Sequence, residues 1–192
     1  MPFNTDFDNI YNESLNILKH NGSILYPTET VWGIGCDATS DKAVENIYKI
    51  KERSADKSLI ILVSSILMLK EYITSLNKNA IYILETFPKP LTIIYPNAKG
   101  LAKNVCHANG SVAIRVIKHA FCKELISAFK KPIVSTSANI SGHTSPVSFN
   151  SISQEILNRV DYIVNLPNFV GSGIPSTIAK FDNNDKLIIV RP

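Results

Sequence analysis

ILYPTETVWGIGCDA, residues 24–38, is the stretch from which the rest of the chain is read. Ile24, Leu25 and Tyr26 follow a turn at Gly22 and read as a short strand. Pro27 ends it, because proline has no N–H to give to a ladder. Thr28, Glu29 and Thr30 then place three hydrogen-bonding side chains in a row, and Gly33 and Gly35 follow within a few residues. Glycine permits φ > 0 and lets another molecule approach the backbone closely. The stretch therefore reads as a strand followed by a glycine-flanked polar loop. Such a loop suits a small polar ligand, and it equally suits a tight surface turn with solvated hydroxyls.

Outward from this stretch, strands and helices alternate. Phe7, Ile10, Tyr11, Leu15 and Leu18 recur at helical spacing, and Gly22 is the expected residue after the helix C-cap. Asp41 is the expected cap of a second helix with a buried stripe of Val44, Ile47 and Tyr48. Residues 58–63 form an apolar run without alternation, as a buried strand does. Helices are expected near 66–73, 79–87, 120–129 and 152–159. Strands are expected near 88–96, 112–117, 132–137, 162–164, 177–181 and 187–190. No repeat and no low-complexity linker divides the chain, so one domain over residues 1–192 is expected. The alternation implies a helix-covered sheet of the α/β class.

Composition narrows the function. The chain has 192 residues, 45% hydrophobic and 19% charged, which is globular and not disordered composition. Apolar runs such as Leu59 to Val63 are far too short to span a bilayer. The opening MPFNTDFDN carries two aspartates and no basic residue, unlike a secretory or mitochondrial leader, so a cytoplasmic location is expected. A net charge of +4 is compatible with a nucleotide or RNA and selects neither. Cys36, Cys106 and Cys122 are scattered, with no CxxC or HxxxH spacing, so neither a disulfide framework nor a structural zinc site is expected. The adjacent Cys106 and His107 read as chance neighbours whose side chains point apart on a strand.

Polar clusters fall where strands end, at residues 28–30, 135–139 and 176–177, and open α/β sheets bind ligands in crevices at strand ends. Each cluster taken singly also reads as loop capping. Lys51, Arg53 and Lys57 lie at a helix end and in the loop after it, which is expected to be exposed. They suit a phosphate, the helix dipole or solvent. Arg115 inside a strand requires an anionic partner, either a protein carboxylate or a ligand. No GxxxxGK[ST] phosphate loop and no GxSxG elbow is present, and no GxGxxG opens a helix. No metal-binding carboxylate pair stands out.

Taken in order, PTETVWGIG (27–35), KERSADKSL (51–59), PKPLT (88–92), VAIRV (112–116), STSANISG (135–142), the Ser-Thr pair of GIPSTI (173–178) and the terminal VRP resemble the YrdC-like threonylcarbamoyl-AMP synthases of tRNA modification. The resemblance runs from Gly22 to Pro192, and the length looks like the short, single-domain bacterial form. It implies a twisted, open mixed sheet covered by helices, of the YrdC/RibB type, with a positively charged concave face. It implies an enzyme that joins L-threonine, bicarbonate and ATP into L-threonylcarbamoyladenylate and pyrophosphate. A partner transferase complex would then move the threonylcarbamoyl group to the adenosine beside the anticodon. An RNA-binding paralogue without adenylation is the alternative within the same resemblance, and weak RNA binding is a partner expectation for the enzyme itself.

The resemblance also implies roles. Thr30, Arg115, Ser135 and Ser176 would contact L-threonine, with the planar fork of Arg115 suiting the carboxylate. Lys51, Arg53 and Lys57 would hold ATP phosphates, the first two as the catalytic pair offsetting charge on the α-phosphate and leaving pyrophosphate. Ser111, Ser137, Asn139, Ser145 and Arg191 would complete the nucleotide site. The carbamate would attack the α-phosphorus in line, without a covalent enzyme intermediate. Mg²⁺ would accompany ATP, held by phosphates and water, with no protein metal site. Five positions depart from the pattern: Ser54 and Ser58 stand where many members carry proline, Trp32 replaces the commoner Tyr or Phe, Lys89 replaces a usual glycine, and Leu62 stands where longer members carry a histidine.

Overall fold

The computed structural model describes residues 5–54, 59–166 and 169–192. Helix α1 (Thr5–Lys19) leads into strand β1 (Ile24–Pro27) and, after a tight turn, β2 (Trp32–Gly35). There follow α2 (Asp41–Ile50), β3 (Ile60–Val63), α3 (Ile66–Tyr72), α4 (Ala80–Thr86), β4 (Leu91–Tyr95) and β5 (Val112–Val116). The chain continues through α5 (Ala120–Phe129), β6 (Ile133–Ser137), α6 (Gln154–Arg159), β7 (Tyr162–Ile163), β8 (Thr177–Phe181) and β9 (Leu187–Arg191). Among the described residues the strands form one sheet in the order β7-β1-β2-β6-β3-β5-β4-β8-β9. Pairs β1–β7, β3–β5 and β4–β8 are parallel and the rest antiparallel, so the expected mixed α/β sheet is present. No described helix is long and apolar enough to cross a membrane.

Strand β2 was not expected, because its glycines read as loop. Gly33 pairs with Tyr26 and Gly35 with Ile24 in a hairpin. A Cβ on Gly35 would lie 2.4 Å from the Val134 carbonyl oxygen and 2.8 Å from the Tyr26 ring. The glycine thus makes room for β6 and for Tyr26, whose hydroxyl donates to the Val134 carbonyl at 3.3 Å. Close approach within the sheet accounts for Gly35, and no positive φ is involved.

Two helix ends also differ from expectation. After α1 the left-handed residue is Asn21 (φ 63), not Gly22. The Gly22 N–H donates to the Ile17 carbonyl at 2.9 Å and the Asn21 N–H to that of Leu18 at 3.2 Å, a Schellman closure. Gly22 is needed instead because a Cβ there would meet Ile17 Cγ2 at 2.6 Å. Helix α2 is capped by Ser40, whose hydroxyl accepts from the Ala43 N–H at 3.3 Å. Asp41 lies one residue inside, where its carboxylate accepts from the Lys103 N–H at 2.7 Å.

Strand residues alternate between two apolar cores. Leu25, Ile34, Ile61, Val63, Ile93, Ile114, Val134 and Ala179 point to one, packed with Val44, Ile47, Leu69, Leu84 and Ile156 from the helices. Ile24, Tyr26, Leu62 and Ile133 point to the other, under Leu18 of α1 and Phe121, Leu125 and Ile126 of α5. Registers carry this second face across Ser135, Ile60, Ala113 and Ile94. Helices α1 and α5 cover only part of that face.

Candidate active site

A cavity of about 440 Å³ lies over the part of the sheet face that α1 and α5 leave open. This corrects the expected strand-end crevice in part. The turn at 28–30 follows the carboxyl end of β1 and Ser137 is the last residue of β6, so two of the three clusters touch strand ends, while most of the cavity floor is sheet face. Ser135, Ser137 and Arg115 line the cavity from within β6 and β5, and Ser176 from just before β8.

On one side the fold joins two polar clusters far apart in sequence. The Thr28 hydroxyl donates to the Val31 carbonyl at 2.7 Å, so the 2.9 Å contact between the Thr28 and Thr30 hydroxyls is donated by Thr30. That leaves Thr30 Oγ1 to accept from Arg115 Nη1 at 3.4 Å. The loop at 171–176 lies across this turn: the Ser172 N–H donates to the Glu29 carbonyl at 3.1 Å and the Gly173 N–H to that of Thr30 at 2.9 Å. A Cβ on Gly171 would sit 2.2 Å from the Thr30 carbonyl oxygen, so only glycine permits the crossing. The loop delivers Ser176, whose hydroxyl shares a 2.7 Å hydrogen bond with Thr92 and whose carbonyl accepts from Arg191 at 2.9 Å.

Arg115 is 4% exposed. Its Nε lies 3.9 Å from Glu29 Oε1, an ion pair without a hydrogen bond. Both partners weighed from the sequence are thus in play: a protein carboxylate stands nearby, and the guanidinium still lines the cavity. Leu62, in register with Arg115, is fully buried in the second core. Its side chain offers no polar contact.

On the other side the expectation of an exposed basic loop is corrected. Lys51 is the C-cap of α2 and only 1% exposed. Its ammonium donates to the Ser137 carbonyl and, at 2.6 Å, to the Asn139 carbonyl. The Lys51 carbonyl accepts from the Ser141 N–H at 2.9 Å. Burial, with the charge of Arg53 added, pushes the Lys51 amine down to about 8. Lys51 therefore clamps the turn after β6 onto α2. Glu52 takes a left-handed conformation (φ 49) and its carboxylate meets Arg159 at 2.8 Å, so the chain leaves the helix axis and Arg53 reaches the cavity.

Of the twelve residues proposed from the sequence, Thr30, Arg53, Arg115, Ser135, Ser137, Ser145, Ser176 and Arg191 line this one cavity. Lys51, Ser111 and Asn139 do not line it, and Lys57 lies outside the described residues. The Asn139 amide holds the next turn, donating to the carbonyls of Ile140 and His143 at 2.9 and 2.7 Å. In the loop at 107–111 the cavity contact is His107, not Ser111, and the Ser111 carbonyl accepts from the His107 N–H at 2.9 Å. Cys106 and His107 follow a short 3₁₀ turn (Lys103–Val105) and are not on a strand, so the argument that set His107 aside does not apply. Among the described residues lining the cavity are three arginines and a histidine, and no carboxylate. Such a lining suits an anionic ligand.

The Sua5/YciO/YrdC family model, described as telomere recombination, matches residues 16–192. A threonylcarbamoyl-AMP synthase of Psychromonas ingrahamii is 38% identical over 74% of this chain and 76% of its own. Another, of Pseudoalteromonas translucida, is 34% identical over 86% and 89%. Among solved structures, P. abyssi Sua5 complexed with L-threonine is 26% identical with a TM-score of 0.87; the match covers 97% of this chain and 54% of that one. E. coli YciO shares the fold with a TM-score of 0.82 at 20% identity, over 95% of this chain and 88% of that one. The motifs occur in order, the model spans nearly the whole sequence and the relatives match along most of their length: this chain belongs to the Sua5/YciO/YrdC family.

Proposed function

We propose that this protein is an L-threonylcarbamoyladenylate synthase, a nucleotidyltransferase that forms threonylcarbamoyl-AMP and pyrophosphate from L-threonine, bicarbonate and ATP. One observation carries the reading. A single cavity is lined both by a hydroxyl-and-arginine set (Thr30, Arg115, Ser135, Ser176) and by a cationic set (Arg53, Arg191, with Ser137 and Ser145). An amino acid and a nucleotide need two such sets. The names of the relatives at 33–38% identity support it.

In this reading Arg115 takes the threonine carboxylate through its planar fork, and the hydroxyls orient the rest of the amino acid. Arg53 and Arg191 face the phosphates and offset charge that grows on the α-phosphate and leaving pyrophosphate. Lys51 acts by fixing the Ser137–Asn139 backbone, and Lys57 belongs to the same basic segment. Ser111 and Asn139 shape the loops that carry His107 and Ser137. The carbamate oxygen attacks phosphorus in line, and catalysis is positioning and charge stabilisation. ATP enters as its Mg²⁺ complex. A cavity lining of arginines, histidine and hydroxyls fits a metal carried by phosphate oxygens and water. The product passes to a transferase complex that modifies tRNA in the cytoplasm, and the net charge of +4 is consistent with weak RNA contact on the way.

The test is incubation with ATP, L-threonine and bicarbonate, with mass detection of the adenylate and assay of pyrophosphate. Pyrophosphate release should require both co-substrates. Equal release with either one omitted would sink the reading. RNA binding without adenylate formation would favour the paralogue instead.

A further inference from the structure

The arginines and hydroxyls of the cavity suit a carboxylate and phosphates, but its apolar floor suits neither. Ile60, Ala113 and Ile94 stand in register on three neighbouring strands, and all three line the cavity. Strands lie about 4.8 Å apart, so this strip is about 10 Å across. Arg115 stands two residues further along β5. In the opposite direction the loop at 107–111 runs straight into β5 and puts His107 at the other border of the strip. Backbone groups build that loop. The His107 N–H donates to the Ser111 carbonyl at 2.9 Å, and the Gly110 N–H, at φ 76, donates to the His107 carbonyl at 2.8 Å. The 3₁₀ turn before it is tied to α2, where the Tyr48 hydroxyl donates to the Asn104 carbonyl at 3.0 Å. The imidazole takes no part in this. Among the described residues it makes no hydrogen bond, ion pair or ring contact. It is half-buried, it lines the cavity, and the turn that carries it does not need it.

A charge buried against apolar surface costs free energy, so the strip disfavours phosphate and carboxylate. Of threonine, bicarbonate and ATP, only the base of ATP offers a flat, weakly polar face broad enough to cover it. Resting on the synthase reading, we infer that the nucleobase lies on the Ile60–Ala113–Ile94 strip and that His107 is a further specificity residue, hydrogen-bonded to the edge of the base. Ligand sites are commonly built in this way, with apolar walls for area and a few polar groups for orientation. An imidazole nitrogen can donate to a ring nitrogen of the base or accept from its amino group. Ala113 contributes by being small, since a longer side chain in the middle of the strip would lift the base from it. Arg53 and Arg191 are left for the phosphates. The site then selects a nucleotide over a bare polyphosphate.

The experiment is calorimetry with two probes, ATP and inorganic tripolyphosphate, each with Mg²⁺ and without threonine. Tripolyphosphate has the phosphates and no base. His107→Ala should weaken ATP about three- to tenfold, the usual worth of one hydrogen bond, and leave tripolyphosphate unchanged. His107→Gln keeps a donor and an acceptor and should regain part of the loss. Ala113→Leu should also weaken ATP and spare tripolyphosphate, whereas Arg53→Ala should weaken both. A His107→Ala protein that binds ATP like the wild type overturns the assignment. So does one that loses both probes equally, since His107 would then face phosphate or only support its loop. In either case adenylate formation by the wild type would leave the synthase reading standing. If GTP is bound in place of ATP with the same dependence on His107, the assignment stands and the ATP reading falls.

Discussion

The two ends of the cavity are held in opposite ways. At the amino-acid end the cation itself meets the cavity: Arg115 projects from a central strand, 4% exposed, with its neighbours fixed by the crossing loop at 171–176. At the nucleotide end the buried cation, Lys51, is turned inward onto the backbone carbonyls of Ser137 and Asn139, and the cavity is met by Arg53 two residues on. A buried charge therefore faces the cavity at one end and the scaffold at the other. The difference lies in what the charge touches, and substitutions should separate the two.

The largest effect is expected from Lys51→Met, which keeps the stem and removes the ammonium. Two buried carbonyls lose their donor, at about 1–3 kcal/mol each. The turn that carries Ser137 then loosens from α2. Denaturant unfolding should show a loss of about 2–5 kcal/mol, with adenylate formation falling alongside. A variant of wild-type stability and low activity would place Lys51 among ligand contacts and erase the contrast.

Arg115→Leu should cost less stability and all amino-acid binding. It leaves Glu29 without its counter-ion, but the Glu29 side chain is 22% exposed and the pair makes no hydrogen bond through Nε. The expected loss is about 1–2 kcal/mol, below the roughly 3–5 kcal/mol of breaking a fully buried pair. Unfolding curves and threonine calorimetry on the same preparation check both halves. Arg53→Ala comes next in stability: half-buried at a loop edge, it should change unfolding by under about 1 kcal/mol while activity drops at least tenfold. Unchanged pyrophosphate release would leave Arg53 as helix-end charge only.

What the sequence makes legible follows the same division. Arg115 within Val112, Ala113, Ile114 and Val116 is visible as an anomaly, because an apolar strand with one cation needs an anion. Most elements are visible from local periodicity. Strand β2 is not, since Gly35 answers to the Tyr26 ring and to Val134 about a hundred residues away, and nothing local records the Val134 contact. The burial of Lys51 is hidden for the same reason: KIKER reads as a solvated helix end until carbonyls 86 and 88 residues later close over it. His107 carries no periodic signal, and only the fold of its loop brings it to the cavity.

The smallest effect concerns pH and decides whether the clamp holds its proton. The Lys51 amine is pushed down to about 8 from an ordinary 10.5. Between those values the unfolded chain binds more protons than the folded one, so this group makes stability rise with pH. The cost of burying the ammonium is fully present below pH 8 and fades toward 10.5. The buried thiols of Cys36 and Cys122 act the other way. Burial pushes both up from 9.0, so the unfolded chain ionises first and stability falls as pH climbs past that value. The window for Lys51 is therefore about pH 8 to 9, before the thiols dominate. There the wild type should gain up to about 1 kcal/mol, within the limit of roughly 1.4 kcal/mol per pH unit that one proton allows. Lys51→Met should lack the gain, and unfolding at closely spaced pH values on both proteins measures the difference. The two carbonyl bonds favour the charged amine and work against the shift. Identical pH profiles for the two proteins would mean that those bonds win and that Lys51 stays an ammonium throughout.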